Sequence, residues 1–133
     1  MEMLNTFHKS EKLNNKKLIS KLFEKGNRGF SRFPFRFSYF QAHFDSVYPI
    51  QVLFVVSKRN YPKATDRNKI KRQTRELYRL AKNLLYDEFS GNKQMALAIQ
   101  FYAPSTNVFS YAQLENIFDK CINQLKNELE KMD

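Results

Sequence analysis

The sequence of 133 residues has no tryptophan, one cysteine, three glycines and four prolines. A single cysteine excludes an internal disulfide, and no Cys/His group has the spacing of a zinc site. Few glycines and prolines leave little room for long flexible linkers. The sequence contains no run of about 18 apolar residues, so it predicts no membrane-spanning helix. Residues 1–13 lack the apolar core of a secretory signal, so we expect a cytoplasmic protein.

Acidic residues are scarce in one segment of the chain. From Lys58 to Lys82 there are ten basic residues against only Asp66 and Glu76, a net charge of +8 out of the chain's +10. The positive charge is therefore concentrated, whereas a generally basic protein would spread it. Like charges at helical spacing repel one another, so this concentration indicates a polyanionic partner.

Apolar periodicity predicts alternating helices and strands. Residues 14–26 have helical spacing, with Asn14 or Asn15 as the cap and Gly26 as the end. Aromatic side chains at every second position of 33–39 predict a strand, with Pro34 at an edge or bulge. Further strands are predicted at 48–59 and 95–103, a long helix between them, and a final amphipathic helix from 110 to 132.

The predicted order is helix, two or three strands, long helix, strand and helix. It indicates an α/β (α+β) fold, a two-layer sandwich of a small mixed sheet with three helices. One domain over 1–133 is expected, with frayed ends at 1–8 and 130–133. Cys121 lies on the apolar stripe of the last helix, together with Leu114, Ile117, Phe118, Leu125 and Leu129. We interpret it as a buried structural thiol.

The long helix is predicted to begin at a cap formed by Thr65 or Asp66 and to end near Phe89. Its predicted buried stripe comprises Ile70, Thr74, Leu77, Ala81, Leu84 and Leu85. The adjoining arc comprises Arg67, Asn68, Lys71, Arg72, Arg75, Arg79 and Lys82. An ordinary solvated face would mix charges of both signs, and arginine suits bidentate phosphate contacts. The arc therefore predicts nucleic-acid binding.

Residues 67–76, RNKIKRQTRE, resemble the RNxxKRxxRE signature of the bacterial ribonuclease P protein component. Three other segments are similar to that family: FHKSEKLNNKKLISKLFEKG, VLFVVSKR and ATDRN. The loop NYPKATD is one residue longer than in the family pattern and lacks its common glycine.

The resemblance implies a protein subunit that joins a catalytic RNA and assists removal of the 5′ leader of precursor tRNA. It also implies that this RNA, with Mg²⁺, performs the hydrolysis, and that the chain alone is inactive. The expected contacts to the RNA subunit are Arg67, Asn68, Lys71, Arg72, Arg75 and Arg79. A left-handed crossover between the strands that flank the signature helix is also implied, an exception to the right-handed rule.

The resemblance further implies a cleft between sheet and helix that binds the single-stranded leader. The candidates by position are Phe23, Phe35 and Phe37 for stacking, with Arg36, Lys58 and Arg59 for phosphates. Exposed rings on a sheet stack on unpaired bases. Packing in the core is the alternative for each ring of the aromatic strand.

Two other functions are weighed against this one. The first is a general basic RNA-binding protein without a dedicated ribozyme partner. The second is an independent endonuclease, which needs clustered carboxylates or histidines. The nearest approaches, His43 with Asp45 and Asp87 with Glu88, lack partners at suitable spacing, and His8 is interpreted as structural. We therefore predict no catalytic residue, no metal ligand and no obligate protein partner.

Overall fold

The computed structural model of the chain describes residues 7, 9–24, 27–87, 89, 93–105 and 109–131. Within them, the elements are α1 (Lys16–Leu22), β1 (Arg28–Arg32), β2 (Phe35–Gln41), β3 (Ile50–Val56), α2 (Ala64–Tyr86), β4 (Met95–Phe101) and α3 (Tyr111–Glu130), preceded by a 3-10 turn at Lys9–Glu11. The predicted α+β fold with a mixed sheet is confirmed. The predicted frayed ends fall largely outside the described residues, and the predicted helix end at Gly26 falls entirely outside them.

The sheet has the strand order β1-β2-β4-β3. β1 pairs with β2 and β2 with β4 in antiparallel fashion, whereas β3 and β4 are parallel neighbours. Adjacent parallel strands need a long crossover connection, and α2 lies in that connection. The left-handedness of this crossover stays a prediction.

The sequence predicted two or three strands before the long helix. The described residues form three there, and β1 is the one that was not located from the sequence. Phe33 and Pro34 form the turn between β1 and β2, so Phe33 is not on the strand where its alternation placed it. Gly29 lies opposite Ser38, and a Cβ atom there would lie 2.5 Å from the carbonyl oxygen of Phe37. A larger residue at this position would push β1 away from β2.

The two faces of the sheet differ in chemistry. One face carries the large buried side chains Phe35, Phe37, Tyr39, Ile50, Val52, Phe54, Val56, Met95, Leu97, Ile99 and Phe101, which pack with buried residues of α2 and α3. On the opposite face, α1 packs through Leu18, Ile19 and Leu22 against Ala96 and Ala98. α2 and α3 therefore share one side of the sheet, and α1 covers part of the other.

The observed helix starts agree in part with those predicted from the sequence. The Asn15 side chain accepts hydrogen bonds from the backbone of Lys17 and Leu18, which confirms it as the cap of α1. In α2 the capping position is Lys63, without a side-chain hydrogen bond, so the prediction of Thr65 or Asp66 is wrong. Both residues lie inside the first turn, where Asp66 still suits the helix dipole.

Lys82 is buried, although its place on the wheel predicted an exposed cation. Its ammonium lies 2.7 Å from the Glu11 carboxylate, and the two side chains are 1% and 0% exposed. The Tyr86 hydroxyl donates a hydrogen bond to the same carboxylate. The ammonium also lies 5.9 Å from the ring of Tyr48. This buried cluster holds the segment before α1 against α2, a long-range contact that helical spacing does not reveal.

The Glu11 carboxylate tests this arrangement. Glu11→Ala would leave a buried ammonium without its partner, so we expect the free energy of unfolding, measured by urea denaturation, to fall by about 3–5 kcal/mol. The double variant Glu11→Leu/Lys82→Met removes both charges and should recover most of that loss. Glu76→Gln, which breaks an exposed pair, is the control and should cost far less. An unchanged free energy of unfolding in the Glu11→Ala variant would show that the pair does not stabilise the fold.

Candidate RNA-binding surface

The buried side of α2 aligns the basic residues on its other side. Ile70, Thr74, Leu77, Ala81 and Leu85 are buried, as predicted. The helical wheel missed Tyr78, which packs in the core against Phe7 and Phe54 with centroid distances of 6.1 and 5.9 Å. The predicted burial of Leu84 is wrong, because this side chain lies in an open groove between α2 and α3 and is 47% exposed.

Arg67 supports the loop that leads into α2. Its Nη1 donates to the backbone oxygens of Tyr61 and Pro62, at 2.8 Å in both cases. The Tyr61 hydroxyl donates to the carbonyl of Ala103 at 2.7 Å. These bonds tie the loop to the end of β4, so the exposed side chains of Lys58 and Arg59 begin from an anchored loop.

Lys71 and Arg75 turn towards the edge of the sheet formed by β3. Together with Lys12 and Leu53 they line a cavity of about 250 Å³. The Arg75 guanidinium lies 6.0 Å from the Phe7 ring, and its Nε is buried without a hydrogen-bond partner among the described residues. Lys12 was not predicted as a site residue, since only its isolated bridge to Val52 on β3 brings it here.

The positive charge on the exposed side of α2 is only slightly compensated by carboxylates of the described residues. Arg79 pairs with Glu76 at 2.5 Å, and this hydrogen bond lowers the pKa of Glu76. Within the part of the chain that the structure describes, Arg67, Arg72 and Arg75 form no ion pair with a carboxylate. Asn68 and Arg72 are exposed on the same helix. We name this set of Arg67, Asn68, Lys71, Arg72, Arg75 and Arg79 the α2 cationic face.

The side of the sheet that carries α1 is partly open. Arg36 is exposed there and donates to the Ser31 hydroxyl at 2.9 Å. Next to it lie the half-buried Ser38 and Gln100, because Arg36 pairs with Gln100 in the register. Phe23, at the C-terminal end of α1, is 56% exposed. We name this region, from Phe23 across Arg36, Ser38, Leu53 and Gln100, the open face.

The predicted stacking of Phe35 and Phe37 on bases is wrong. Both rings point to the opposite side of the sheet from Arg36 and are 1% and 0% exposed. They pack against the Phe118 ring of α3, with centroid distances of 5.2 and 5.7 Å. Strand alternation correctly placed them on one face but could not say which face a helix covers.

The described residues contain no group of His, Cys, Asp or Glu arranged to hold a metal ion. Burial raises the pKa of the Cys121 thiol to about 12, so the thiol stays protonated at neutral pH. This agrees with the structural role predicted for it. Among the same residues, no helix has both the length and the apolar character needed to cross a membrane.

Comparison with known proteins decides the family. A family model described as Ribonuclease P matches residues 7–126. The chain belongs to the ribonuclease P protein family. It is 31% identical over 114 residues to the ribonuclease P protein component of Porphyromonas gingivalis, covering 86% of this chain and 82% of that protein.

A second relative in the ribonuclease P protein family is the protein component of Chlorobaculum tepidum. The two are 41% identical over 86 residues, which is 61% of this chain. The match spans 54% of the relative, so the chain aligns with about half of its length.

Solved ribonuclease P proteins share the fold. The Staphylococcus aureus protein matches with a TM-score of 0.65 at 16% identity, over 87% of this chain and 95% of that one. The Thermotoga maritima protein gives 0.64 at 21% identity, over 88% and 96%. At these identities the likeness establishes the fold alone.

Proposed function

We propose that the chain is the protein subunit of ribonuclease P, which binds the catalytic RNA and the 5′ leader of precursor tRNA during Mg²⁺-dependent removal of that leader. The observation that carries the proposal is the α2 cationic face, whose arginines are largely without carboxylate partners in the described chain. A polyanion relieves this repulsion, and RNA phosphates are suited to arginine. The cytoplasm is the expected location.

The α2 cationic face is the proposed contact with the RNA subunit. Arg72 and Asn68 are exposed, and Lys71 and Arg75 line the cavity beside β3. Arg67 contributes mainly by shaping the loop, since its Nη1 is engaged with backbone oxygens. Arg79 adds less net charge, because Glu76 accompanies it.

The open face is the proposed contact with the leader. The Phe23 ring offers a stacking surface for an unpaired base, and Arg36 offers a cation on the same side of the sheet. Lys58 and Arg59 are exposed in the loop that follows β3. The cavity that Leu53 shares with Lys71 and Arg75 connects the open face with the α2 cationic face. The two proposed RNA contacts therefore meet at Leu53.

Phosphodiester hydrolysis is assigned to the RNA subunit. Mg²⁺ supplies charge stabilisation and an activated water in such chemistry, and we propose that the RNA holds it. The contribution of the protein is then positive charge that reduces repulsion between two RNAs, together with contacts to the leader.

Reconstitution tests the assignment. Precursor tRNA, Mg²⁺ and the catalytic RNA should give the mature 5′ end more efficiently when the protein is present, and the protein without that RNA should leave the substrate intact. Gel analysis of the products measures this. Cleavage by the protein alone would indicate an independent endonuclease. Equal affinity for the catalytic RNA and for bulk RNA at matched salt would favour a general RNA-binding protein.

Arginines of the α2 cationic face provide a second test. Arg72→Ala/Arg75→Ala should weaken binding to the catalytic RNA and reduce the slope of log affinity against log salt by about 2, because two phosphate contacts are lost. Filter binding at several salt concentrations measures both quantities. Lys120→Ala/Lys131→Ala removes the same charge from exposed positions of the α3 region and should have a smaller effect. Equal losses of affinity and of salt dependence in the two double variants would mean that RNA binding depends on net charge alone.

The Phe23 ring provides a test for the leader. Phe23→Ala should weaken binding of precursor tRNA by the holoenzyme by about 1–3 kcal/mol, the value of one stacked base. Mature tRNA, which has no leader, should bind with unchanged affinity. Tyr111→Ala, which removes another exposed ring on α3, is the control and should leave both affinities unchanged. An equal loss for both tRNAs would contradict a leader contact.

A further inference from the structure

Two exposed leucines lie outside the proposed RNA surface. Leu80 and Leu84 are 52% and 47% exposed and occupy successive turns of α2. Large apolar side chains that are this exposed are few among the described residues, and these two are neighbours. Adjacent exposed apolar side chains mark interaction sites more often than scattered ones do.

The leucines form one wall of a groove between α2 and α3. Leu77 and Ala81 also line this cavity of about 360 Å³, and the α3 side carries Glu115 and Asp119. The earlier turns of both helices line a separate pocket, so the two helices run in the same direction. The result is a shallow trough with leucines on one side and carboxylates on the other.

The charge of the groove selects against RNA. Glu115 and Asp119 are exposed and, within the described residues, neither forms an ion pair. They are unpaired carboxylates on a chain whose net charge is +10. These carboxylates would repel phosphates. A partner that carries lysine or arginine beside an apolar stripe would complement both the carboxylates and the leucines of the groove.

From this geometry we infer a protein-docking groove between α2 and α3 that accepts an amphipathic helix, with apolar residues against Leu80 and Leu84 and basic residues against Glu115 and Asp119. A helix lying in an apolar groove is a common recognition mode. None of the residues that line the groove belongs to the α2 cationic face or to the open face, so its occupancy goes beyond the proposed RNA contacts. A second copy of the chain fits less well, because a symmetric contact would bring the same carboxylates together.

A synthetic helix tests the groove on the full-length chain. The probe is a fluorescent peptide of about 14 residues, roughly four helical turns, with leucines on one face and lysines flanking them. Fluorescence anisotropy should show saturable binding, weakened about tenfold by Leu80→Ser/Leu84→Ser and similarly by Glu115→Gln/Asp119→Asn. Backbone NMR shifts caused by the peptide should concentrate on residues 77–84 and 115–123. Val47→Ser, at a 92% exposed apolar site elsewhere, is the control and should bind normally.

Several results would overturn the inference. These are absence of binding, equal binding of a peptide with glutamate in place of lysine, and equal affinity of the groove variants and the parent. Self-association of the parent that Leu80→Ser/Leu84→Ser abolishes would make a second copy the occupant. Weaker binding of the catalytic RNA by the groove variants would assign the groove to RNA. Thermal unfolding of each variant verifies that the fold is retained, and none of these readouts depends on tRNA cleavage.

Discussion

The alternation of side chains along β2, β3 and β4 is the constraint on which the other contacts depend. Large apolar side chains on one side of the sheet require cover, and α2 and α3 provide it. The other side carries the small Ala96 and Ala98, where α1 can pack closely, and the polar Ser38 and Gln100 beyond it. Because α1 has only seven residues, it cannot cover the whole of that side. The open face follows from this unequal cover.

The parallel pairing of β3 with β4 places α2 in a crossover, with one side buried against the sheet. Its remaining side must then carry whatever charge the sequence supplies, which gives the α2 cationic face. Arg67 and Arg75 show that these cations are also part of the fold, through backbone oxygens in one case and the Phe7 ring in the other. Side chains that are held in this way would lose little freedom if a partner bound them.

Local patterns were sufficient for most of the elements and for the family. Asn15 as a cap, the apolar β3 and β4 and the buried Cys121 each followed from spacing or from residue type, because these features depend on neighbours along the chain. Features without a clear local signal were missed or misplaced. The α2 start was placed too late because the helix begins without a side-chain cap, and β1 has no clear apolar alternation in RGFSR.

The sequence by itself determined the α+β order, the concentration of positive charge on one helix and membership of the family, since each is written in residue type and period. Only the tertiary structure decided which side chains of the helices and strands reach solvent. It buried Lys82 against Glu11, turned Phe35 and Phe37 towards Phe118, and left Leu84 in a groove. The physical reason is that a period assigns a side chain to a face, whereas burial of that face depends on elements far away in the chain.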